Sequence, residues 1–250
     1  MALILAGSCR FDVDAVVFDK DGTLVDFATL WGARTVRWVE TVAAAAGNPA
    51  IAPSLYRLIG FDPQTRQVQP DGPLAVASTA DIYSLAAAVL FQHGYGWHEG
   101  RPLAERAAAA TMAAPPAPEE IQPIGDVAGT FRRLRAAGIK LAIATNDDRA
   151  LTEATLVQLG IGGDVAVMAC GDDPLPAKPH PAALHWIARE LETTAARLVM
   201  VGDSANDMLA GRNAGVAGCV GILGGAGRRE SLEALADVLI DGIDGIVVLA

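Results

Sequence analysis

From Ile124 onward the chain switches repeatedly between two hydrophobic periods, and that alternation constrains the fold more than any other feature. Helical patterns at 126–137, 148–159, 181–194, 206–214 and 230–236 interleave with short apolar runs at 139–145, 164–169, 197–202, 217–222 and 237–241. Gly138 and Gly160 stand where the first two helices must stop. Strands alternating with helices pair in parallel, with helices on both faces. The expected fold is therefore α/β, a doubly wound parallel sheet. An earlier run, VVFD ending at Asp19, supplies another strand, and residues 3–6 read as a strand or packed arm.

Between that first strand and the alternating region the pattern is helical. Residues 27–46 carry Leu30, Val36, Val39 and Val42 near helical spacing, and Gly47-Asn48-Pro49 ends the run. Further helices are expected at 53–60, 79–93 and 102–114, separated by Gly- and Pro-rich loops. Pro115-Pro116-Ala117-Pro118 marks a linker. Residues 27–121 thus read as an all-helical insertion, with 1–26 and 122–250 forming the sheet-based part. Trp31, Trp38 and Phe61 are expected in the core of the insertion.

Four polar signatures follow apolar runs in order: DKDGTL at 19–24, TN at 145–146, KP at 178–179 and GDSAND at 202–207. In an open α/β sheet, ligands bind outside the carboxyl ends of the strands. The sheet therefore gathers Asp19, Asp21, Thr145, Lys178, Asp203 and Asp207 at one crevice. Four carboxylates there cannot all stay ionised beside one lysine without a further cation. All-oxygen ligands without His or Cys suit Mg2+, which binds through one or two carboxylates plus phosphate oxygens.

Such a site matches a phosphoryl group. Asp19, fixed at a strand end, is the candidate nucleophile. Asp21, in a turn beside Gly22, is the candidate to protonate the leaving alcohol and deprotonate the attacking water. The Thr145 hydroxyl and the Asn146 backbone N–H hold phosphate oxygens, and Lys178 neutralises charge on the transferring group. Asp203 binds the metal, and Asp207 binds it or orients its ligands.

The ordered motifs resemble those of the haloacid dehalogenase superfamily, whose members are mostly Mg2+-dependent phosphatases. The stretch GDDPLPAKPHP at 171–181, with Thr23 after Asp21-Gly22, looks most like the phosphoglycolate phosphatase branch. The resemblance implies a Rossmann-like core with a helical cap at 27–121. It implies Asp19 as nucleophile, Asp21 as acid/base, and Thr145 and Lys178 as phosphate holders. It also implies metal ligation by Asp19, Asp203 and the backbone carbonyl of Asp21, with Asp207 in the same acidic set. Lys20, between the aspartates, reads as a minor variation. The activity implied is hydrolysis of a small phosphorylated metabolite through an aspartyl-phosphate, with phosphoglycolate foremost. The alternative is a phosphosugar mutase on the same scaffold; mutases of the superfamily commonly carry Val where Thr23 stands. A carbon–phosphorus hydrolase needs a cap lysine, and the chain's lysines, 20, 140 and 178, all lie outside 27–121. A dehalogenase would lack Asp21.

Substrate selection is expected from the insertion, whose basic residues are all arginine: Arg34, Arg37, Arg57, Arg66, Arg101 and Arg106. Arginine grips carboxylates in bidentate fashion, and Arg34, just after the catalytic loop, is the first candidate for a carboxylate-bearing substrate. The bland alternative for each is a solvated helix face. His93, His98 and Glu99 cluster without a third ligand at zinc spacing, and GILGGAG at 221–227 has no Lys-Ser/Thr partner, which makes it a flexible loop rather than a nucleotide cradle.

Composition sets the outer limits. At 250 residues and 52% hydrophobic, the chain can bury a full core. A net charge of −10 argues against nucleic acid or an anionic membrane as partner. Cys9, Cys170 and Cys219 form no zinc pattern and suggest a reducing compartment. The N-terminal apolar run lacks a basic segment and no stretch reaches membrane-span length, so the expected location is cytoplasmic, as a monomer or homodimer.

Overall fold

The computed structural model describes residues 2–112 and 114–249. The chain opens with β1 (Ala2–Ala6), β2 (Cys9–Val13) and β3 (Ala15–Phe18). It then leaves the sheet for α1 (Phe27–Ala45), α2 (Ile51–Ile59), α3 (Pro73–Val76), α4 (Thr79–Gln92) and α5 (Trp97–Met112). It returns through α6 (Val127–Ala136), β4 (Lys140–Ala144), α7 (Arg149–Gln158), β5 (Val167–Ala169) and α8 (Ala182–Glu190). The remaining elements are β6 (Leu198–Gly202), α9 (Ala205–Ala214), β7 (Gly218–Ile222), α10 (Arg229–Leu235), β8 (Val238–Ile240) and β9 (Ile246–Leu249).

Six strands form one parallel sheet in the order β5-β4-β3-β6-β7-β8. Because β3 pairs with both β4 and β6, the chain winds outward in opposite directions on its two sides. A crevice opens at the carboxyl ends where that direction reverses. The strands are buried on both faces, and their side chains alternate as a period of two demands. Val16 and Phe18 enter a cluster with Phe131, Leu134, Ile143 and Val201. Ala15 and Val17 face the other way, with Ala142, Leu184, Ile187 and Met200.

The helical insertion has its own apolar cluster, built from Trp38, Val42, Ile51, Leu55, Phe61 and Leu90 among others. Burying each such side chain contributes about 1.5–3 kcal/mol. Trp38 is buried and satisfies its indole N–H on the Ala104 carbonyl at 3.1 Å. Ser78 and Asp81 close a capping box at the start of α4, so that helix begins where expected. Among the described residues, no helix is long and apolar enough to cross a membrane.

Four elements differ from expectation. The helix expected at 102–114 begins at Trp97, with Pro102 inside it at the cost of the bond to the His98 carbonyl. The helix expected at 181–194 ends at Glu190, because Glu192 takes a left-handed φ of 53°. The strand expected at 164–169 is confined to Val167–Ala169. A second, antiparallel sheet of order β2-β1-β9 joins residues 3–6 to both Cys9–Val13 and the C-terminal Ile246–Leu249. Trp31 lies outside the insertion's apolar cluster and lines the cavity described next.

Candidate active site

Asp19 follows the last residue of β3, and its N–H donates to the Val201 carbonyl of β6 at 2.8 Å. The backbone is thus anchored by the sheet while the side chain projects into the crevice. Lys178 meets it there: its Nζ donates to Asp19 Oδ1 at 2.6 Å, to Asp207 Oδ1 at 2.5 Å and to the Ala144 carbonyl at 2.7 Å. Asp207 sits in the first turn of α9, where its other oxygen accepts from the Ser204 hydroxyl and N–H at 2.6 and 3.0 Å. That capping box fixes the carboxylate direction.

Asp203 follows β6 and is held from two sides. The Thr23 hydroxyl donates to its Oδ1 at 3.3 Å, and the Ala226 N–H donates to its Oδ2 at 2.6 Å. A Cβ built on Gly225 would lie 2.2 Å from Asp203 Oδ2, so only glycine lets the 221–227 segment approach. The run expected to be a flexible loop is instead a seat for this carboxylate. Gly22 has the same close approach and a φ of 82°, which ties the DKDGTL turn to Asp203.

Asp19, Asp21, Thr145, Asn146, Lys178 and Asp203 all line one cavity of about 480 Å³. Thr145 Oγ1 accepts from the Asp147 N–H at 3.2 Å. The Asn146 side chain joins three segments: its Oδ1 accepts from Lys178 N at 3.0 Å, and its Nδ2 donates to the carbonyls of Lys178 and Val76. Asn206 also donates to the Val76 carbonyl, at 3.0 Å. Val76 belongs to the insertion, so two core amides clasp one of its main-chain oxygens.

Arg34 is the correction. It is buried on the far side of α1, where it pairs with Glu120 at 2.8 Å and donates to the Ala114 carbonyl. The residues that α1 presents to the cavity are Phe27, Trp31, Thr35 and Trp38, a stripe at helical spacing that passes Arg34 by.

Sequence reasoning also underrated Lys20. It is fully buried, its Nζ 2.5 Å from Asp21 Oδ1 and 2.9 Å from Asp147 Oδ2. Its ammonium also stands 5.9 Å from the centre of the Trp31 ring. Burial acts against its charge, but the carboxylates of Asp147 and Asp21 outweigh it and hold the ammonium protonated. The available signal was a lysine set between two aspartates at the end of a buried strand, with a second acidic pair at 147–148.

The carboxylate cluster carries too much negative charge. Burial pushes Asp19 up to about 7, with Lys178 opposing and Asp207 and Asp21 adding to the rise. Burial first, then Asp19 and Asp207, drives Asp203 well above the ordinary carboxylate range. Carboxylate oxygens of Asp19, Asp203 and Asp207 lie within 4.8 Å of one another. Three buried acids facing one ammonium, all with oxygen donors, fit a hard divalent cation.

A family model for haloacid dehalogenase-like hydrolases matches residues 13–215. The chain belongs to the haloacid dehalogenase-like hydrolases. Within that family it is an enzyme of the phosphatase type, in the phosphoglycolate phosphatase-like branch. The plasmid-encoded phosphoglycolate phosphatase of Cupriavidus necator is 30% identical over 244 residues, 94% of this chain and 92% of that protein. The phosphoglycolate phosphatase of Colwellia psychrerythraea is 40% identical over 91 residues, 36% of this chain and 40% of that protein. Among solved structures, CbbY from Rhodobacter sphaeroides in complex with phosphate superposes with a TM-score of 0.61. It is 23% identical and covers 92% of this chain and 95% of that one, a likeness of fold. The cavity of this haloacid dehalogenase-like hydrolase lies between its sheet and its helical insertion, with lining residues from both.

Proposed function

We propose that this hydrolase is a Mg2+-dependent phosphomonoesterase that cleaves a small phosphorylated metabolite through an aspartyl-phosphate on Asp19. The observation that carries the reading is the clasp of Asp19 by the Lys178 ammonium, 2.6 Å away, in a cavity shared with Asp21 and Thr145. Residues 27–121 act as a cap whose closure excludes water from the reacting groups.

Asp19 attacks phosphorus with one carboxylate oxygen while the bond to the leaving alcohol breaks. Asp21 gives that alcohol its proton, then takes a proton from the water that attacks the acyl phosphate. Inorganic phosphate leaves and Asp19 is regenerated. Thr145 and the Asn146 N–H hold phosphoryl oxygens, and Lys178 balances their charge. Asp19, Asp203, Asp207 and the Asp21 carbonyl would hold the metal. When bound, Mg2+ offsets the charge of the carboxylates and of the phosphoryl oxygens. Lys20, with its Nζ 2.5 Å from Asp21 Oδ1, would hold that carboxylate in place for the proton transfers.

The curated relatives' names make phosphoglycolate the reference substrate. The test is phosphate release from phosphoglycolate, hexose phosphates, nucleotides and simple alkyl phosphates with Mg2+, using Asp19→Asn as the blank. Phosphate from at least one ester, absent in the blank, supports hydrolysis. A hexose phosphate consumed without phosphate release replaces it with the mutase reading.

A further inference from the structure

The cavity that holds the proposed reaction centre extends well beyond it, and much of the remaining lining is aromatic or aliphatic. Its walls include Trp31 and Trp38 of α1, Ile82 and Tyr83 of α4, Met112 of α5 and Leu151 of α7. A volume of about 480 Å³ is that of a pocket for a substantial organic group. A two-carbon acid would leave most of it empty, or filled with water against aromatic faces.

Charge gives an independent argument. Among the described residues that line the cavity, Lys178 is the only cation, and its ammonium is engaged by Asp19, Asp207 and the Ala144 carbonyl. None of the insertion's six arginines lines it. Acids are present instead: Glu105 and Asp148 both line the cavity. Glu105 pairs with Arg101, which lies outside the cavity. The Tyr83 hydroxyl is pushed up to about 12 by burial and then by Asp148 and Glu105, which marks this wall as negative. Thr35, on the same wall as Trp31, is fully buried and its hydroxyl has no hydrogen-bond partner among the described residues. It can satisfy a neutral polar atom, and it does not balance a charge.

Given a phosphatase at this site, on which the inference rests, we infer that the leaving group is a bulky, uncharged and largely apolar alcohol, not a carboxylate-bearing one such as glycolate. A carboxylate moved into this space would be desolvated without a free counter-ion and would face the like charge of Asp148, with Glu105 already paired to Arg101. An apolar group gains from each methylene it buries, typically 10–200-fold in kcat/KM per group.

The probes are 2-phenylethyl, n-hexyl and ethyl phosphate together with phosphoglycolate, all esters of primary alcohols, assayed by phosphate release with Mg2+. The expected result is a kcat/KM for 2-phenylethyl phosphate at least roughly a hundredfold above that for phosphoglycolate, with hexyl well above ethyl. Ala109→Arg, at an exposed position of the cavity rim on α5, should narrow that ratio at least tenfold by supplying a cation. Phosphoglycolate equal to or better than 2-phenylethyl phosphate overturns the inference and leaves the phosphatase intact. No phosphate from any probe beyond the Asp19→Asn blank overturns the phosphatase reading as well.

Discussion

Replacing Lys20 by methionine should be among the most damaging single changes outside the apolar core. The side chain is fully buried and bridges Asp21 and Asp147 at 2.5 and 2.9 Å. At an effective dielectric of about 20, each contact is worth roughly 6 kcal/mol of Coulomb energy, most of it offset by desolvation of the ions. Removing one member of such a cluster typically costs about 3–5 kcal/mol. Asp147 limits the loss, because burial already pushes it up to about 6 even with Lys20 opposing, and without Lys20 it escapes by taking a proton. The expected loss is therefore near the lower end, about 3 kcal/mol, or a Tm lower by about 6–12 °C for a chain of this size. The pH dependence has a definite sign. A carboxyl whose folded pKa lies above its unfolded value holds its proton longer when folded, so stability falls as pH rises between the two values. In the variant the upper edge of that window moves upward, and lowering the pH from 8 to 5 should recover part of the loss. Asp147→Asn on the Lys20→Met background should recover at least half of it. Urea melts of the wild type, the single and the double variants at both pH values measure all of this. A Lys20→Met protein within about 1 kcal/mol of wild type, or a double variant weaker than the single, would refute the account.

Other expectations follow from the same geometry. Asp19→Asn should lower kcat at least roughly 10⁴-fold without unfolding the chain; turnover near wild type in steady-state assays would remove Asp19 as nucleophile. EDTA should stop phosphate release and Mg2+ restore it. In the metal-free protein, Asp19 with a folded pKa of about 7 makes the Tm fall as pH rises from 4 toward 7. Mg2+ should flatten that slope, and melts that ignore millimolar Mg2+ at pH 7.5 would count against the acidic cluster as its site. Arg34→Ala should cost about 2–4 kcal/mol through the lost Glu120 and Ala114 contacts, while relative kcat/KM values across substrates stay within roughly threefold. A shifted substrate preference with unchanged stability would return Arg34 to the binding site.

The parts of the molecule that were legible in the sequence are those whose cause is local. Short, continuously apolar runs ending at Asp19, Thr145 and Asp203 required buried strands, and the alternation with helices required a parallel sheet whose ends converge. What escaped depends on contacts between distant segments. The pairing of β1 with β9 joins residues more than two hundred positions apart, and no periodicity announces such a partner. Arg34 lies one residue before Thr35, which faces the cavity, and a rotation of one helical step separates a cavity-lining side chain from a structural strut. Lys20 looked incidental because its second partner, Asp147, lies more than a hundred residues on. The glycines near 225 carry no sequence mark of their partner, because the Asp203 carboxylate that presses against them lies some twenty residues earlier.

The hold of Asn146 and Asn206 on the insertion is made to the Val76 carbonyl, an oxygen that every amino acid carries. Side chains across 73–77 can therefore be exchanged without loosening it, and Leu74, Ala75, Val76 and Ala77 all line the cavity. The hold on the insertion and the lining of the cavity thereby rest on different atoms, the one on the main chain and the other on side chains.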